Sequence, residues 1–70
     1  MAHPESVQFV VAWMEPCWVL MRNAAQLGAF AGRDEALAAA RSAARSPLEA
    51  GADCSLLVRD QAGDWREEPC

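Results

Sequence analysis

Along the chain, apolar residues cluster in short runs that alternate from face to face, and in one long run spaced at helical intervals. Ser6 to Met14 reads as a strand, with Val7, Phe9, Val11 and Trp13 on one face and Gln8, Val10, Ala12 and Met14 on the other. Both faces are mostly apolar, which is unusual for a strand in so small a protein. Glu15-Pro16 ends it, because proline lacks the ladder N–H and biases its predecessor away from helix. Cys17 to Arg22 reads as a second strand. Trp18, Leu20 and Arg22 share one face, and Cys17, Val19 and Met21 the other. Asn23-Ala24-Ala25 is a turn, and residues 26–31 form a short third strand, where Gly28 marks a bulge.

Residues 32–50 carry the helical pattern. Gly32 is a permitted N-cap, Glu35 stands where a capping-box carboxylate belongs, and Asp34 and Glu35 suit the positive end of the helix dipole. At 100° per residue, Ala36, Leu37, Ala40, Ala43, Ala44 and Leu48 gather on one side, and Asp34, Arg41, Ser42, Arg45 and Glu49 on the other. Alanines on the buried side let the helix lie close to a sheet. Pro47 predicts an end or kink near Ser46, or a last short turn capped by Ser46, and Gly51 supplies the stop. Residues 54–59 form a strand of high apolar content. Asp60-Gln61-Ala62-Gly63-Asp64 is a turn, and Trp65-Arg66-Glu67 pairs back as a short final strand. The order β-β-β-α-β-β implies an antiparallel or mixed sheet with the helix on one face. The expected fold is therefore α+β, a small antiparallel sheet covered on one face by one amphipathic helix.

Length changes this picture little: 70 residues allow a single domain, residues 1–70, with residues 1–5 expected to fray. Composition changes it more. Hydrophobic residues make up 53% of the chain, but fifteen of them are alanine, so the bulky core set is small. The formal net charge is -4, and all six basic residues are arginine. An acidic balance argues against binding a phosphate backbone, so nucleic acid is not an expected partner. No apolar run reaches membrane-spanning length, and the N-terminus lacks the basic region of a signal peptide, so no membrane association is expected.

Candidate chemistry is sparse. Cys17, Cys54 and Cys70 are widely spaced, with no Cys-x-x-Cys pair or Cys/His cluster, so no metal site or cofactor is expected. The expectation is a cytoplasmic protein with reduced thiols, Cys17 and Cys54 acting as small hydrophobes and Cys70 exposed at the end of the chain. His3 is the lone histidine, beside Pro4 in the N-terminal segment, and no nucleophile–base set lies on ordered elements. The chain is therefore not expected to be an enzyme.

Three fragments together resemble a small bacterial family of unknown function. They are Cys17-Trp18-Val19, the string FAGRDEA continuing LAAARSAA from Phe30, and LLVRDQAGDW from Leu56 to Trp65. That family has a Trp-x-Val strand, a Phe followed by a Thr-x-x-Glu-Ala helix start, and a strand ending in an Asp-Gly turn. The resemblance covers roughly residues 17–68. Gly32 replaces the capping Thr, and two residues separate Asp60 from Gly63. The family has no established activity, so the resemblance implies a fold and not a function. The string Glu35-Ala36-Leu37-Ala38-Ala39-Ala40 after a hairpin is also similar to HicB-like antitoxins, which are acidic, oligomeric and toxin-binding. Their Pro-Asp-Leu-Pro-Gly signature is absent here.

The expected function is that of a non-catalytic interaction or accessory module acting as a homo-oligomer. One helix covers one face of a sheet, yet the first two strands are apolar on both. A homodimer through the uncovered face follows, with Val10, Ala12, Met14, Val19 and Met21 as its candidate contacts. Which parity meets the helix is open, though Phe9 and Trp13 suit the core. Arg41 and Arg45 on the helix, and Trp65 after the polar turn, are candidate contacts for a larger protein partner. Arg45 and Glu49 are spaced for an i,i+4 pair. The alternative is a small acidic inhibitor or antitoxin, of phage or mobile-element type. It would neutralise a larger protein through Asp53, Asp60, Asp64, Glu67 and Glu68.

Overall fold

Five strands and one helix form in the predicted order, with ends moved by one residue at most. They are β1 (Ser6–Met14), β2 (Cys17–Arg22), β3 (Ala25–Phe30), α1 (Arg33–Glu49), β4 (Asp53–Arg59) and β5 (Trp65–Glu68). The structure is a computed structural model and describes residues 6–70, so the expected fraying of residues 1–5, and His3 with it, lie outside the described residues. The fold is α+β: one five-stranded sheet, ordered β3-β2-β1-β4-β5, with α1 against it. No helix among the described residues is long and apolar enough to cross a membrane.

The sheet is mixed rather than antiparallel throughout. β1–β2, β2–β3 and β4–β5 pair antiparallel, but β4 lies parallel to β1, with Phe9 opposite Leu56 and Val11 opposite Val58. The physical reason is the helix. A strand that follows a crossover returns in the direction of the strand before the crossover, and β3 itself runs parallel to β1. α1 therefore delivers β4 to the free side of β1, with β1 and β2 between it and β3.

The parity left open by sequence is settled by burial. Val7, Phe9 and Val11 of β1 lie fully buried beneath α1, with Trp18 and Leu20 of β2 and Leu56 and Val58 of β4 beside them. Ala36, Leu37, Ala40 and Ala44 are the helix residues they meet. Trp13 and Trp18 stand opposite one another and pack edge to face, their ring centroids 5.4 Å apart. Three helix expectations change. Gly32 caps the helix, but Glu35 makes no capping bond to it. Leu48 is exposed rather than buried. Leu48 lies in the last turn of α1, beyond Ala44, the last buried residue of the helix. Pro47 does not end the helix at Ser46, since α1 continues through Glu49. Beyond it Ala52 N–H donates to the Pro47 carbonyl and Gly51 N–H to that of Leu48, at 2.9 and 3.0 Å. This pair of bonds closes a Schellman cap around Gly51, whose φ of +84° suits glycine.

Short turns set the strand registers. Glu15 and Pro16, joined by a cis peptide bond, connect β1 to β2. Asn23 and Ala24, both with positive φ, connect β2 to β3 in a two-residue turn. The Asn23 side chain also accepts a hydrogen bond from Gln8 N–H at 2.9 Å, tying this turn to β1. The expected bulge falls between Leu20 and Met21 on β2, where Leu27 is the extra residue of β3. Gly28 follows it, and a Cβ there would meet the Phe30 ring at 3.3 Å. At the other end, Asp60 builds the β4–β5 turn. Its carboxylate accepts from Ala62 N–H at 2.9 Å and Asp64 N–H at 3.0 Å.

The cysteines depart most from expectation. Cys54 and Cys70 are joined by a disulfide rather than reduced, and Cys70 is half-buried against the core rather than exposed. The register explains the pairing. Leu56 faces Glu68 across β4–β5, so two residues further along Cys54 faces Cys70, with Cα atoms 6.4 Å apart. Cys17 is free and half-buried.

Two outcomes check this packing. Ala40→Leu places three extra carbons between α1 and the sheet and should destabilise by about 1–3 kcal/mol in urea unfolding; wild-type stability would place another helix face on the sheet. Gly51→Ala should cost about 1–2 kcal/mol through its backbone alone, because no atom lies within 4 Å of the added methyl. Thermal unfolding of the variant reads that cost directly.

Candidate functional site

The face of the sheet turned away from α1 is built by the other half of each strand's alternation. β1 contributes Gln8, Val10, Ala12 and Met14, and β2 contributes Cys17, Val19 and Met21. β4 adds Ser55, Leu57 and Arg59, and β5 adds Trp65 and Glu67. All five residues expected at a self-association surface therefore fall on this one face. Val10 lies between Met21 and Leu57 across the sheet, and Ala12 between Val19 and Arg59. Val10 and Met21 are half-buried, while Met14 is 54% exposed at the end of β1. Ala12 and Val19 are buried at 8% and 7% within the single chain.

Charge is confined to one side of this face. Asp53, Arg59 and Glu67 are its charged residues, all on β4 and β5, and β1, β2 and β3 contribute none. The result is an apolar strip about two strands wide with a polar border along β5. Trp65 stands on that border, opposite Arg59, and is 56% exposed, as its polar surroundings predict.

The helix arginines are deployed differently. Arg33 Nη2 donates to Glu68 Oε1 at 3.2 Å, the one ion pair among the described residues. Arg41 Nε donates to the Pro69 carbonyl at 3.4 Å. Both side chains thus fasten the C-terminal tail to the helix. Arg45 is exposed and does not form the expected pair with Glu49. Arg41, Arg45 and Trp65 do not form one surface: the arginines lie on the helix layer, and Trp65 on the face of the sheet turned away from it. The tail contacts of Arg33 and Arg41 carried no sequence signal, because they depend on where β5 lies.

Among the described residues every buried side chain is hydrophobic, and no group of three His, Cys, Asp or Glu gathers to hold a metal ion. The partly exposed apolar side chains of this face, Val10, Met14, Met21 and Leu57, are thus the ones that packing within the chain leaves open. No family model matches the chain, and no curated protein or solved structure is similar to it.

The three tryptophans provide a check on these placements. Trp65→Phe should remove the emission most accessible to acrylamide, leaving a blue-shifted spectrum from Trp13 and Trp18. An unchanged quenching curve would put Trp65 under cover.

Proposed function

We propose that this protein is a non-catalytic interaction module that works as a homodimer, joined through the face of the sheet opposite α1. The observation that carries the reading is the apolar set Val10, Met14, Cys17, Met21 and Leu57 on the face opposite α1, all of which stay at least partly exposed in the single chain. Monomeric proteins rarely leave a contiguous apolar surface of this kind in water.

A second copy is the occupant that fits. A two-fold axis in the interface lets one patch cover itself, and no like charges meet in the apolar strip, since the strip carries none. Burial across the axis also enlarges a core limited by a 70-residue chain rich in alanine.

Light scattering with a concentration series tests the reading. The wild-type chain should give the mass of two chains at micromolar concentration. Val10→Asp should give one chain or an aggregate, because a carboxylate in an apolar interface lacks a partner. A wild-type mass of one chain overturns the proposal.

A further inference from the structure

Three consecutive residues of the C-terminal tail are each fastened to a different part of the fold. Glu68 pairs with Arg33 at the start of α1, the Pro69 carbonyl accepts from Arg41 about two turns further along the helix, and Cys70 is bonded to Cys54 in β4. The first two fastenings sit at the surface, where water competes with them. The third is covalent.

The strand held by these fastenings has little else to hold it. β5 is a four-residue edge strand with Trp65, Arg66 and Glu67 exposed. None of its residues belongs to the buried cluster, which is drawn from β1, β2, β4 and α1. Loss of β5 therefore removes no side chain from the core. Segments with few buried apolar contacts are the ones that open locally while the rest stays folded.

We propose that the Cys54–Cys70 pair is a thiol-controlled latch on the β5 edge of the sheet. Closed as a disulfide, it holds the tail across the start of β4. Opened by a dithiol reductant, it frees β5 and exposes the outer ladder of β4, while β1, β2, β4 and α1 keep their packing. The exchange balances in two steps. A thiolate of the dithiol attacks one sulfur of the pair, forming a mixed disulfide and expelling the other cysteine as a thiolate, which takes up a proton. The second thiol of the dithiol then attacks the mixed disulfide and releases the remaining cysteine. Two electrons and two protons pass to the protein, and the reductant leaves as a cyclic disulfide. A disulfide oxidant reverses both steps. Both cysteines are half-buried and not sealed in the core, so a small dithiol reaches them.

Hydrogen exchange on the full chain, oxidised and reduced with dithiothreitol, tests the latch. Intact-mass counting after alkylation should find one free thiol in the oxidised chain, Cys17, and three in the reduced chain. Amides of Trp65–Glu68 should exchange faster on reduction by roughly a hundredfold, the effect expected of a cross-link closing a loop of this length. Amides of β1 and β2 should change far less. The double variant Cys54→Ser/Cys70→Ser should reproduce the reduced pattern without reductant. Three alkylated thiols after treatment with oxidised glutathione would overturn the proposal. So would equal acceleration in β1 and β5, unchanged exchange at β5, or failure of the double variant to fold, each of which makes the bridge something other than a local latch.

Discussion

A strand can lie parallel to its neighbour only if the chain leaves the sheet, crosses it and returns. In this fold α1 makes that crossing, and it sets β4 against β1 rather than beyond β3. β1 thereby becomes the middle strand, bonded on both sides, and its double-sided apolar sequence fits the position. The crossing helix covers the Val7, Phe9 and Val11 side of that strand. Among the described residues no second helix meets the other side. Core, uncovered face and the placing of β5 at the far edge all follow from that single parallel pair.

The individual elements were legible because each has a local cause. Alternation marks β1 and β2, Pro16 and the Asn23-Ala24 turn separate the strands, and Gly51 stops the helix with its left-handed backbone. Order and direction were not legible, because they depend on which strand the crossover reaches. The disulfide was hidden for the same reason. Sixteen residues separate Cys54 from Cys70, and only the β4–β5 register brings them face to face. Leu48 fits the helical periodicity of the buried face, but periodicity does not say where along the helix burial ends.

The candidate site divides along similar lines. Val10, Ala12, Met14, Val19 and Met21 could be grouped from period-two alternation alone, and they share a face. Arg41, Arg45 and Trp65 could not be grouped in that way, because they sit on different layers. Arg33 and Arg41 look like a free cationic stripe in sequence. In the fold both reach the tail, which only the far edge of the sheet brings within range.

The two rims of the sheet differ in chemistry. β5 carries Arg66, Glu67 and Glu68 and is followed by Pro69, all of which discourage a strand from another molecule. β3, with the sequence AQLGAF, carries neither charge nor proline along its outer rim. That rim is interrupted instead by the bulge at Leu27, so an incoming strand would meet charge and proline at one edge and a broken ladder at the other, and neither edge offers a continuous template for extending the sheet.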